Sequence, residues 1–129
     1  MKRLKLKTQT KRELLDITDQ VAKAIRELGL GQGACLLFVP HTTAAITINE
    51  NADPAVKGDI LDALNRLVPT SLAYRHLEGN AHAHIQTSLI GSSVLLPVED
   101  GRPALGTWQG ILFCEFDGPR SREVWLVGL

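Results

Sequence analysis

Four histidines carry the first chemical signal in this chain. His41 follows Pro40 at the end of an apolar run. His76 lies in the polar segment Tyr74-Arg75-His76-Leu77-Glu78-Gly79-Asn80, and His82 and His84 stand two apart just beyond it. Three protein nitrogens plus an open position is a common catalytic zinc arrangement. Residues two apart on a strand project from one face. On a strand, His82 and His84 could therefore ligate one ion together, with His41 or His76 as a third ligand. The HxH spacing alone is not specific, and a hydrogen-bonded structural histidine is the commoner fate of any single one. The grouping of all four in two short segments is what favours a site.

Two further polar clusters could serve such a site. Asn49-Glu50-Asn51-Ala52-Asp53 places two amides and two carboxylates before a helix start, beside a positive helix end. Capping accounts for Asp53 but leaves Asn49 and Glu50 free. Glu50 suits a general acid/base role or carboxylate ligation of a metal. The second cluster is Gly106-Thr107-Trp108-Gln109, with Glu115 and Asp117 on Gln109's face of the same strand. Buried polar groups there would need partners from a site wall or a subunit interface. Trp108, on the opposite face, reads as core.

Several familiar chemistries are missing. The chain has no GxxxxGK[ST] or GxGxxG phosphate loop, no GxSxG nucleophile elbow and no HExxH zinc motif. Cys35 and Cys114 each sit in an apolar run rather than a CxxC, so they read as core thiols of a reducing compartment.

The elements that must position these groups follow from periodicity. Thr18 can cap a first helix carrying Val21, Ala22, Ile25 and Leu28, with Gly29 as a left-handed stop. Asp53 caps a second, with Pro54 at its first position, Val56, Ile60, Leu64 and Leu67 at helical spacing, and Pro69 ending it. Residues 33–40, 43–49, 83–90, 94–98, 107–117 and 123–129 read as strands, the first buried on both faces. Glu99-Asp100-Gly101-Arg102 and Asp117-Gly118-Pro119-Arg120 are turns. Leu4 and Leu6 alternate with Arg3, Lys5 and Lys7. Those cations suggest either an anion-binding arm or, more simply, an edge strand guarded against pairing. Short connections predict an α+β domain spanning residues 1–129, a mostly antiparallel β-sheet sandwich with two helices packed on it.

Composition limits the partners. The 129 residues carry 14 basic and 14 acidic side chains, a formal net charge of zero. The broad electrostatic attraction that nucleic-acid and anionic-membrane binders use is therefore missing. No apolar segment of signal or membrane-spanning type is present, and the chain reads as cytoplasmic.

Taken in order, the motifs resemble the YjbQ family of small proteins, also known as secondary thiamine-phosphate synthases. The resemblance is carried by His41-Thr42-Thr43-Ala44 with Asn49-Glu50-Asn51, then His76 and Gly79-Asn80-Ala81-His82-Ala83-His84. Ser88-Leu89-Ile90-Gly91, Gly106-Thr107-Trp108-Gln109 and Glu115-Phe116-Asp117-Gly118-Pro119-Arg120 complete it. The resemblance implies a homotrimer with a pocket built from His41, Asn49, Glu50, His76, Asn80, His84 and Gln109. It lowers the weight of His82 and favours His41, His76 and His84 as ligands of a divalent metal, zinc or magnesium. Glu50 and His41 would then act catalytically, with Asn49, Asn80, Gln109, Thr42 and Arg120 holding a small anionic substrate. Arg75, Arg120 and the N-terminus of the second helix could bind its charge. A weak thiamine-phosphate synthase activity is a further implication. The competing reading is a non-catalytic anion-binding or trimeric interaction module.

Overall fold

Short connections leave antiparallel pairing as the accessible option, and every strand pair adopts it. The computed structural model describes residues 1–129. In chain order the elements are β1 (Lys2–Lys7), β2 (Glu13–Asp16), α1 (Thr18–Glu27), β3 (Gly33–Phe38), β4 (Ala44–Glu50) and α2 (Pro54–Leu67). They continue with α3 (Ala81–Ile90), β5 (Ser93–Glu99), β6 (Arg102–Pro103), β7 (Gln109–Glu115) and β8 (Ser121–Gly128).

Two sheets result, one of five strands in the order β1-β8-β3-β5-β6 and one of three in the order β2-β7-β4. Leu37, Leu96, Val124 and Leu126 of the larger sheet meet Ile46, Ile111 and Phe113 of the smaller, with Val21 and Ile25 of α1 closing the same core. The other face of β7, Leu112 and Cys114, packs with Leu14, Ala45, Leu64 and Ala83 beneath α2 and α3. The small sheet is thus a middle layer, which explains a β7 sequence that is apolar on both faces. β1 is an edge strand, the place where lysines discourage further pairing.

Four details depart from expectation. Residues 83–90 form part of helix α3, so there are three helices rather than two. Gly79 and Gly91, both at positive φ, bracket the segment. Alternating Ala and His imitates a strand, yet alanine is the best helix former, and burying Ala83 against Ala45 and Leu64 supports the helix. Thr18 is the first residue of α1 instead of its cap. The Asp16 carboxylate accepts the Thr18 N–H at 3.0 Å, while Thr18 Oγ1 accepts the Ile111 N–H. β3 is buried on one face only, since Phe38 is 39% exposed. Trp108 lies in the turn before β7 and is 64% exposed, outside the core. The second helix is as anticipated, with Asp53 accepting the Ala55 N–H and Pro54 opening the helix.

Candidate functional site

The helical form of residues 81–90 decides which histidines meet. Two positions along a helix differ by about 200° around its axis, so His82 and His84 face apart and cannot share an ion as an HxH pair on a strand would. His84 turns toward His76 in the loop before α3, the two rings 5.2 Å apart and nearly perpendicular. His82 turns inward and is buried, with neither ring nitrogen bonded. Burial, then the nearby Arg12 charge, lowers its pKa.

His41 joins from the end of β3. Its Nε2 accepts the backbone N–H of Glu123 at 2.9 Å. A neutral ring that accepts at Nε2 carries its proton on Nδ1, so His41 is a donor at its other nitrogen. Burial and the Arg122 charge lower its pKa and favour that neutral form.

His41, His76 and His84 line one cavity of about 430 Å³, together with Thr42, Asn80 and Arg120. Pro40, Thr43, Glu78 and Arg122 complete the walls, and none of the ten residues is hydrophobic. The walls rest on a buried charge network. Arg122 donates from Nε and Nη2 to both oxygens of Glu115, and Nη2 also reaches the Thr43 hydroxyl at 2.9 Å. Thr8 adds its hydroxyl to Glu115 at 2.7 Å. Burial alone would raise the Glu115 pKa, but these donors outweigh it and the carboxylate stays ionised below its ordinary range. Asp117 likewise resists burial, receiving Lys11, Asn80 Nδ2 at 3.0 Å and Arg120 Nη2 at 2.9 Å, and is held well below the usual range.

Asn80 occupies the N-cap position of α3 without capping it. Its Nδ2 is spent on Asp117, and its buried Oδ1 has no partner. The first turn of α3 therefore presents an uncapped positive end beside the cavity.

Three anticipated members lie elsewhere. Asn49 and Glu50 end β4, opposite Gly110 and Gln109, whereas Ala44 at the other end pairs with Glu115. Six residues of strand separate the two ends by roughly 20 Å. Glu50 accepts the Asp53 N–H at 3.2 Å, Asn49 accepts the Glu50 N–H, and Gln109 accepts the Gly106 N–H. These are local turn and helix-start contacts. The N-terminus of α2 is at that same far end, and Arg75 is exposed outside the cavity lining. Within one chain they take no part in the histidine cavity.

Arg122 and Thr43 are the site residues that sequence reasoning missed. A signal existed: Arg122 shares an apolar face with Val124 and Leu126, and Glu115 shares one with Ile111 and Phe113. Two charges misplaced in two apolar registers mark a buried pair. The cysteines are core thiols, Cys35 raised to about 11 and Cys114 to about 12 by burial. No helix is long and apolar enough to cross a membrane.

Metal ligation can be tested on this geometry. No group of three or more His, Cys, Asp or Glu side chains converges as a metal ion requires. With Nε2 of His41 engaged by Glu123 and Nδ1 protonated, only His76 and His84 of the three cavity histidines keep free nitrogens. His82 is not part of the cavity lining, so a three-imidazole centre does not fit the arrangement.

Comparison with known proteins gives a consistent picture. Residues 2–128 match the model of a family described as UPF0047 protein YjbQ-like. The chain is 53% identical over 121 residues to UPF0047 protein MJ1081 of Methanocaldococcus jannaschii, covering 94% of this chain and 88% of that protein. It is 50% identical over 127 residues to UPF0047 protein YugU of Bacillus subtilis, covering 98% and 96%. The crystal structure of an uncharacterised conserved YjbQ/UPF0047 protein from Clostridium acetobutylicum superposes with a TM-score of 0.96 at 50% identity, covering both chains fully. The conserved hypothetical protein TT1486 of Thermus thermophilus superposes at 0.94 with 44% identity, again over both full chains.

Proposed function

The chain belongs to the YjbQ-like UPF0047 family, and from that premise we propose that its histidine cavity binds a small phosphorylated or otherwise anionic molecule. The His76–His84 pair supplies proton transfer to it. One observation carries the reading: a cavity without a hydrophobic residue in which imidazoles, two guanidinium groups and the uncapped end of α3 converge. Glu78 is the only carboxylate in the wall, and it is exposed. Such a donor-rich surface suits phosphate oxygens.

The divalent ion that the family resemblance brings does not enter this reading, because His41 is engaged. Thiamine-phosphate synthesis is retained as a side activity, since the same donors suit the pyrophosphate of its pyrimidine substrate. Assembly as a homotrimer belongs to the proposal as well. It is supported by the outward face of the large sheet, where Phe38 and Leu95 are exposed beside Leu36, Trp125 and Val127.

Calorimetric titration with inorganic phosphate and pyrophosphate tests the binding. Saturable binding that weakens about tenfold in Arg120→Ala and in His84→Gln is expected, each variant removing a charged or polar donor. No binding by the folded wild-type protein sinks the proposal. A non-catalytic anion-binding module is the second reading, favoured by the distance of Glu50 from the cavity. Turnover of a phosphorylated compound that His84→Gln abolishes while phosphate still binds selects the enzyme; binding without turnover selects the module.

A further inference from the structure

The basic N-terminal arm divides into engaged and unengaged cations. Lys2 pairs with Glu27, Arg3 lies 4.9 Å over the Trp125 ring, and Lys11 pairs with Asp117. Lys5 and Lys7 have no such partner and are exposed. Edge protection explains a lysine on β1, but not why the unpaired ones stand over a second cavity. That cavity, about 580 Å³, is lined by Lys5, Lys7, Ser121 and Glu123 and shares His41 and Arg122 with the first.

Arg122 is the hinge between the two spaces. Its side chain is 5% exposed, locked through Nε and Nη2 by Glu115 and Thr43, while Nη1 makes no hydrogen bond within the protein. Register places Leu6 opposite Arg122, with Lys5 opposite Glu123 and Lys7 opposite Ser121. Lys5 is thus partly offset by Glu123, and Lys7 faces only a hydroxyl. Lys7 also lines a shallow cavity with Arg120, so the positive surface runs on around β8.

We propose that the Lys5–Lys7 cavity is a second anion subsite, continuous through His41 and Arg122 with the histidine cavity. The two together take a small molecule bearing two separated anionic groups, such as a bisphosphate. This rests on the anion reading of the histidine cavity. One group occupies the His76–His84–Asn80 side, the other is held by Lys5 and Lys7, and His41 borders both.

The test compares α,ω-alkane bisphosphonates of increasing chain length with the matching monophosphonates, in wild type and in the Lys5→Ala/Lys7→Ala double variant. Both lysines are exposed, so the variant is expected to fold. A bisphosphonate of suitable length should bind at least about tenfold more tightly than its monophosphonate, as linked groups do. The double variant should lose that gain and bind inorganic phosphate as before. No gain at any length, or a gain that survives the double variant, overturns the second subsite while phosphate binding stands. Failure of inorganic phosphate to bind wild type overturns the reading beneath it instead.

Discussion

The backbone N–H of Glu123 meets Nε2 of His41 at 2.9 Å, just past the last β3–β8 ladder pair, Phe38–Trp125. An imidazole there replaces the carbonyl that a longer β3 would have offered. The strand's own hydrogen-bonding demand therefore sets the tautomer of a cavity residue. Nitrogen-15 NMR of the imidazoles should show His41 as the neutral Nδ1–H form, still neutral slightly below pH 6.5. A protonated ring or the Nε2–H tautomer at pH 7 contradicts the assignment.

Stability should fall on acidification in two steps. Folded His41 and His82 have pKa values below the ordinary 6.5, so the unfolded chain binds protons that the folded chain refuses. Their neutral forms cost nothing above pH 6.5 and penalise the fold as pH drops below it. Glu115 and Asp117 are shifted down from ordinary values of 4.5 and 3.8, so their stabilisation is present above those values and lost below them. Tm measured from pH 8 to pH 3 should decline first below about 6.5 and again below about 4.5. His82→Gln should shallow the first decline. A Tm flat between pH 7 and 5 would contradict the histidine shifts.

Arg122→Ala should destabilise the protein by about 3–5 kcal/mol, because it leaves the Glu115 charge buried without its partner. Glu115→Ala combined with it should cost clearly less than the sum of the single variants, measured by urea unfolding. An additive pair would show that the two side chains are not coupled.

Gly118→Ala tests the turn that delivers Asp117 and Arg120. A Cβ there would lie 2.4 Å from the Thr10 carbonyl oxygen and 2.9 Å from Thr8 Oγ1. The backbone contact cannot yield cheaply, so a loss of about 3 kcal/mol is expected, read by thermal or denaturant unfolding. Wild-type stability in the variant would mean that the two segments are less tightly apposed.

Both thiols should resist modification in the native state, since they are buried and raised to about 11 and 12. Ellman's reagent should titrate 2 thiols in denaturant and react only slowly with folded protein. Fast native labelling of Cys114 would contradict its place beneath α2 and α3.

Local chemistry was legible wherever the determinant was local. Asp53-Pro54 states a helix start because one side chain caps and the other needs no N–H. Asp100-Gly101 states a hairpin, and positive φ at both residues agrees. The alternation of β1 and β8 states a half-buried pair. The motif resemblance, and not periodicity, grouped His41, His76 and His84, which the structure places around one cavity.

What the chain alone left open depended on contacts between distant residues. Ala81–Ile90 alternates like a strand, yet its alanines favour a helix and packing on Ala45 and Leu64 supports it, which sends His82 inward and turns His84 away from it. Glu50 and Gln109 stand in motifs beside the histidines in sequence order, yet antiparallel pairing carries them to the far end of β4 and β7. Arg122 carries no motif at all; it became part of the site because β8 returns beside β1 and faces Glu115. Residue type and spacing specify helix starts, turns and faces through short-range sterics and hydrogen bonds. Which faces meet is decided by burial across the whole fold, and that assembled the cavity.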